Sequence, residues 1–348
     1  MGASERSAWI DRWKGLLILL VVAGHVAGSV AAQVPWKDSA PWQYVYKAIY
    51  LFHMPAFFFL SGMLFHPDEP LRFLVRRARR LLVPYLVLGV FSILVFQVME
   101  GGFHRLAAGN AYWSARGGDA AWVPWVSLLY GAPLPGTDGF RCNSVLWFLP
   151  CLFTMQLLLL ALVRLPRAVC LLFGAASPFF FVALNRIGCP SLPWGLSAVP
   201  KFFVFAVAGW AFSAATRRSS EAGLCRLVAW TPLYLLLCLF VDYSDAMYGH
   251  FGHWLVIVAM GFAGIWVSAG VAKVVKGRWL ELFGVLSIGV MLFHKFPLLA
   301  LQLKVAPVKA LIAAGGSSSF LGAAVLLVGA SLVSLLASLA IHRWTKMF

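Results

Sequence analysis

The sequence predicts an all-α polytopic membrane protein of about ten transmembrane helices with both termini cytoplasmic, and three observations carry that reading. The chain is 61% hydrophobic and 11% charged, whereas a soluble domain carries roughly 25% charged residues. Apolar runs near the ~20-residue length that crosses a bilayer recur from one end to the other. The Lys and Arg residues fall between those runs. A β-barrel would instead show short segments of alternating hydrophobicity.

The candidate spans, in order, are 15–34, 44–65, 81–99, 144–163, 168–184, 198–215, 224–241, 251–272, 279–302 and 320–341. The first begins near Leu16 and lacks a small-residue cleavage site, so it reads as a retained helix rather than a signal peptide. The second contains Pro55, which removes a backbone donor, and then Ser61 and Gly62, which permit close helix approach. The ninth is interrupted by Lys295 and Pro297. No internal repeat or Gly/Ser/Pro-rich linker divides the chain, so residues 1–348 read as one domain, with 100–143 an outer-face loop rich in Gly, Trp and Pro.

The formal net charge of +16 is explained by basic residues at cytoplasmic membrane flanks and not by a nucleic-acid partner. With the N-terminus inside, eighteen Lys and Arg flank the inner face and nine the outer. Six cysteines show no metal-ligand spacing, and no metal is expected. Cys151, Cys170, Cys225 and Cys238 fall in apolar segments as packing residues, while Cys142 and Cys189 sit in outer loops where a disulfide is possible.

Depth singles out the polar residues. His25 stands in the middle of the first apolar run, and an ionisable side chain at membrane depth marks a functional site by default. It lies eleven residues after Lys14, which is about three helical turns, so the two share a face roughly 16 Å apart. Asp11 stands beside Lys14 at the cytoplasmic mouth, where it pairs either Lys14 or Arg12. His53, on the second segment, falls near the same depth as His25; it is either a second functional group or a structural histidine bonded to a backbone carbonyl. Trp147, Lys201, His294 and Lys295 fall in outer halves of their segments, where they line an outward cavity or serve as interfacial anchors. The cluster Arg72, Arg76, Arg77, Arg79 and Arg80 is either a positive-inside anchor or an anion site. On a helix Arg76 or Arg77 shares a face with Arg80, and with Lys14 they would suit a phosphorylated donor.

Five stretches then resemble a known family. IDRWKGLLILLVVAGH (10–25), FHMPAFFFLSG (52–62), RARRLLVPY (77–85), LWFLPCLF (146–153) and LSIGVMLFHKFPL (286–298) occur in the order and spacing of the acyltransferase-3 family of integral-membrane acyltransferases, closest to its fucose 4-O-acetylase-like branch. The last block departs from the family's usual Tyr before Leu-His, having Met291 and Phe293.

The resemblance implies a ten-helix fold in the cytoplasmic (inner) membrane and transfer of an acyl group, usually acetyl, from acyl-CoA to a hydroxyl of a cell-surface or lipid-linked carbohydrate. It implies His25 as the essential histidine and Lys14, with Arg76, Arg77 and Arg80, at the CoA end of the donor. His25 then acts as general base toward the sugar hydroxyl or as a nucleophile through an acyl-imidazole. His53 orients reacting groups or holds the oxyanion, and Trp147, His294 and Lys295 face the acceptor. Asp11, Pro55 and Ser61 support the site. The competing class is a proton-coupled transporter or flippase, which buried histidines and a Pro-broken helix also suit.

Overall fold

The structure is a computed structural model that describes residues 3–103, 122–132, 143–215, 227–241 and 254–345, and every regular element among them is helical. Cys142 and Cys225 lie outside the described residues, as does most of the expected outer loop. Of that loop, the WVPWVSLLYG stretch contributes a helix from Val123 to Tyr130 that closes on Gly131 in the left-handed conformation (φ 72°).

Six helices among the described residues are long and apolar enough to cross a membrane: Ala8–Ala31, Pro70–Val95, Ser144–Leu162, Arg167–Arg186, Trp254–Val274 and Gly316–Arg343. They correspond to six of the ten expected segments. Two further apolar helices, Val199–Ser213 and Val228–Phe240, are shorter. The remaining two segments are not single helices. Residues 44–65 divide at Leu51–Phe52, and residues 279–302 bend by 71° at Leu286 and break again at His294.

The chain folds as two compact units, Met1–Met63 with Gly209–Phe348, and Leu64–Ala208. The helices in chain order are α1 (Ala3–Ala31), α2 (Ser39–Tyr50), α3 (His53–Met63), α4 (Pro70–Arg77), α5 (Val83–Phe103), α6 (Val123–Tyr130), α7 (Phe148–Leu162), α8 (Arg167–Arg186), α9 (Val199–Ala215), α10 (Thr231–Phe240), α11 (Trp254–Val274), α12 (Arg278–Val285), α13 (Ser287–Phe293), α14 (Lys295–Lys304), α15 (Ala306–Ala313) and α16 (Gly316–Thr345).

In the first unit α1 is the central element. It starts well before the expected Gly15, because the polar stretch ahead of the apolar run is itself helical and buries its tryptophans. Trp9 Nε1 donates to the Ala269 carbonyl at 3.2 Å and Trp13 Nε1 to Ser268 Oγ at 3.0 Å, both on α11. Apolar burial does not drive helices together inside lipid, so small residues that let backbones approach dominate such contacts. A side chain at Gly15 would collide with the Leu280 carbonyl, and one at Gly284 with the Asp11 carbonyl. The two glycines therefore seat α1 and α12 against each other's main chain. Higher on α1, a Cβ at Gly24 would meet the Tyr50 ring at 2.8 Å and one at Gly28 the Tyr46 ring at 2.9 Å.

The second unit opens on Glu69, whose carboxylate accepts from the Leu71 and Arg72 amides at 3.1 and 2.9 Å and caps α4. A π-helical turn, Ala78–Leu82, joins α4 to α5, and the Val83 amide reaches back to the Ala78 carbonyl. Pro84 is the physical cause. It has no amide for the Arg80 carbonyl and its ring crowds that oxygen, so the turn before it widens. Beyond it, Tyr85 donates to the Leu128 carbonyl at 2.6 Å, tying α5 to α6.

Gly284→Val tests the α1–α12 seat. Overpacking of this kind costs about 1–3 kcal/mol, so the variant should melt at a lower temperature than wild type when detergent-solubilised protein is heated and the folded fraction is read by size exclusion.

Candidate functional site

The site is built where α1 meets α2 and the broken segment α13–α14. His25 lies on α1 between the two glycines that receive Tyr50 and Tyr46, whose rings stack with centroids 3.8 Å apart. With no side chain at Gly24, the Tyr50 ring packs close against α1 and its hydroxyl is hydrogen-bonded to His25 Nδ1 at 3.0 Å. The sequence reading did not single out Tyr50. A signal existed: glycines four apart around His25 mark a face of close approach, and Tyr46 and Tyr50 are spaced to stack on one face of α2.

The opposite wall is the joint between α13 and α14. Pro297 has no amide for the Phe293 carbonyl, and α13 ends at Phe293. His294 and Lys295 occupy the joint. Lys295 Nζ donates to His25 Nδ1 at 3.1 Å, and the His25 and His294 rings lie with centroids 5.0 Å apart and planes inclined by 31°. His294 is fully buried. Its Nδ1 donates to the Met291 carbonyl at 2.6 Å and stands 3.2 Å from that of Val290. Its Nε2 is buried with no hydrogen-bond partner among the described residues.

His53 begins α3, just past the break in the second segment. Its Nδ1 donates to the Ile49 carbonyl at 2.9 Å, which is the backbone-bonded arrangement of a structural histidine. Its ring packs edge-on against Tyr50 at 4.6 Å, and Tyr50 in turn meets His25. Tyr50 is thus the link between the two histidines that the sequence placed at one depth. Pro55 falls in the first turn of α3, where its missing amide costs no intrahelical bond. Ser61 lies two turns further on the same helix.

Near the N-terminal end of α1, Asp11 pairs with Lys14, Oδ1 to Nζ 2.9 Å, and not with Arg12. Arg12 instead meets Glu281 on α12 at 3.0 Å and the Ala272 carbonyl on α11 at 3.3 Å. Lys14 stays partly exposed.

Within the second unit the basic cluster is divided. Arg76 pairs Asp68 at 3.1 Å, Arg77 lies over the Phe73 ring at 5.0 Å, and Arg80 is exposed on the π turn. The wide turn begins just after Arg77 and contains Arg80, so it departs from the α-helical spacing on which their expected shared face rested. Trp147 precedes α7 and stacks on Phe202 at 5.8 Å; Lys201 lies over the Phe202 and Phe181 rings at 5.4 and 5.5 Å. No three His, Cys, Asp or Glu side chains among the described residues stand together as a metal-binding group.

Chemically, the first unit thus gathers two imidazoles, an amine and a phenol in an apolar bundle, and no carboxylate is bonded to either imidazole among the described residues. Such a set exchanges protons and stabilises developing negative charge.

Comparison with known proteins bears on what that chemistry serves. The nodulation protein NolL of Sinorhizobium fredii (strain NBRC 101917 / NGR234) is 43% identical over 63 residues, a stretch that spans 18% of this chain and 17% of that protein. No solved structure matches the chain. A family model described as an acyltransferase domain matches residues 7–343, nearly the whole length. The chain belongs to that family, the acyltransferase-3 family of membrane acyltransferases.

Proposed function

We propose that the protein is an O-acetyltransferase of the cytoplasmic membrane that moves an acetyl group from acetyl-CoA to a hydroxyl of a cell-surface or lipid-linked carbohydrate. The observation that carries this reading is His25: partly exposed, deep in an otherwise apolar helix, and bonded through one ring nitrogen to both Lys295 and Tyr50. Family membership supplies acyl transfer and removes the reason to prefer a transporter.

The donor side follows from α1. Lys14 and His25 share a face about three turns apart. A CoA phosphate held by Lys14 at the cytoplasmic end would place the pantetheine arm along that face toward His25. The Lys14–Asp11 pair presets the ammonium without neutralising a second cation, since Arg12 is taken by Glu281. Arg76, Arg77 and Arg80 form a further anion-binding candidate in their own unit, where Arg80 is exposed and a guanidinium matches phosphate geometry. The acceptor reaches His25 from the outer side, past the joint that bears His294 and Lys295. Trp147, partly exposed and stacked on Phe202, offers an aromatic face to a substrate in its unit. Both termini are inside, on the distribution of Lys and Arg between the two faces, and the broken second and ninth segments complete a ten-span arrangement in which irregular backbone lines the site.

Four measurements bear on this reading. Mass spectrometry of surface polysaccharide with and without the gene should show the mass of one acetyl group per modified unit; an unchanged glycan overturns the acceptor class. In vesicles supplied with labelled acetyl-CoA, His25→Ala should abolish transfer at normal protein level, and retained transfer removes His25 from the mechanism. Lys14→Ala should weaken acetyl-CoA binding about tenfold, the loss of one charge-assisted hydrogen bond worth ~1.5 kcal/mol, with turnover at saturating donor little changed. Tyr50→Phe keeps the ring on Gly24 and deletes only the hydroxyl; turnover should fall about fivefold, for a bond worth ~1 kcal/mol.

A further inference from the structure

Two histidines stand beside each other at the α1 and α13–α14 walls, with ring centroids 5.0 Å apart, and their hydrogen bonds run in opposite senses. An ammonium has donors only, whereas a phenol hydroxyl donates or accepts, so the ammonium fixes the sense of the contacts at a nitrogen they share. Lys295 Nζ and Tyr50 OH both point at His25 Nδ1, at 3.1 and 3.0 Å. That nitrogen is therefore the lone-pair side of the ring, and in the neutral imidazole the proton is on Nε2. At His294 the partners are carbonyl oxygens, which only accept. Nδ1 faces Met291 O at 2.6 Å and Val290 O at 3.2 Å. Here the proton is on Nδ1, and the bare lone pair is on Nε2. The tautomer of a histidine is set by the bond its other nitrogen makes.

The bare Nε2 of His294 also has no hydrogen-bond partner among the described residues. It is buried in a residue with 0% exposure. A buried acceptor left empty costs about 1–3 kcal/mol and calls for an explanation. A substrate hydroxyl would fill it. The two neighbouring imidazoles, protonated on opposite nitrogens, are thereby matched to opposite tasks.

We infer that His294, not His25, takes the proton from the acceptor hydroxyl, and that His25 holds the carbonyl oxygen of the thioester through its Nε2–H. This rests on the acyl-transfer reading above. The step balances with no further reactant. The hydroxyl proton passes to His294 Nε2 as its oxygen bonds to the thioester carbonyl carbon. The oxyanion is held by His25 Nε2–H while the Lys295 ammonium stabilises the negative charge from the Nδ1 side. Collapse breaks the C–S bond, and the departing CoA thiolate takes the proton back from His294, leaving free thiol, ester and a neutral imidazole.

Two experiments decide it. The first is independent of activity: nitrogen-15 NMR of histidine-labelled protein in lipid bilayers, with the two signals assigned by subtraction in His25→Gln and His294→Gln, and His294→Asn as a second variant if His294→Gln does not fold. His294 should show a protonated Nδ1 and bare Nε2, and His25 the reverse. Both rings in one tautomer, or the two exchanged, overturns the assignment. The second is a comparison of turnover at equal acetyl-CoA occupancy. Glutamine retains an N–H donor but cannot take a proton. His294→Gln should therefore lose ~10²–10⁴-fold, the range of a positioned base, while His25→Gln keeps more activity than either His294→Gln or His25→Ala. His25→Gln falling to or below His294→Gln overturns the division of labour. Wild-type protein that transfers no acetyl group would sink the acyl-transfer reading and the roles with it, while the tautomer measurement separately decides whether the two rings are protonated on opposite nitrogens.

Discussion

Close approach of helices at glycine is the constraint on which the rest of this structure depends. Lipid gives no hydrophobic reward for pressing one apolar helix on another, so packing must come from surfaces that fit. Gly15 and Gly284 let α1 and α12 meet main chain to side-chain-free main chain. Gly24 and Gly28 open the face of α1 beside His25 to two tyrosine rings. Remove any of these and the polar atoms of the site lose the spacing that makes them partners. The indole bonds of Trp9 and Trp13 to α11 lock the same helix from another side, so α1 reaches the site already fixed in rotation.

Proline does the complementary task. Among the described residues, the two buried histidines outside α1 sit where an otherwise continuous segment breaks shortly before a proline, as FHMP at 52–55 and FHKFP at 293–297. In each case the ring nitrogen bonds a carbonyl of the preceding turn. The breaks thus pair a helix interruption with a side chain that answers part of the hydrogen-bonding deficit it creates. Non-helical backbone at membrane depth is tolerated only where it is buried in protein or lines a cavity, and both breaks stand around Tyr50 and His25.

Much of this was legible in the sequence, and the limits have physical causes. Length and hydropathy found the six long apolar helices, because those quantities are local. His25 and Lys14 were legible because a polar residue in an apolar run is costly and helical spacing is fixed. The interruption of the ninth segment was legible from Lys295 and Pro297. The bend at Leu286 was not, since no proline marks it, and neither was the π turn, whose cause, Pro84, reads equally well as an ordinary kink. Tyr50 was missed because tyrosine near a membrane boundary is so common that its type says nothing; its role follows from what lies opposite, two glycines on another helix. His294 was placed toward the acceptor by depth alone, and the orientation of its ring is a tertiary fact. The pairing of Arg12 with Glu281 likewise joins residues that no local pattern connects.

The bonds that complete α1 come from far along the chain: Trp9 to Ala269, Arg12 to Glu281, and His25 to Lys295, 270 residues away. During synthesis the first helix therefore enters the bilayer long before its polar partners exist. It must wait, with indoles, a guanidinium and an imidazole unanswered, until the last quarter of the chain has been made. Tyr50 arrives early and covers His25 from one side only. The completion of the site is in this sense the final event of the protein's own assembly, and a chain cut short anywhere before residue 295 inserts His25 into lipid with half of its partners missing. Such a product leaves a polar group at membrane depth without the partners that offset its cost.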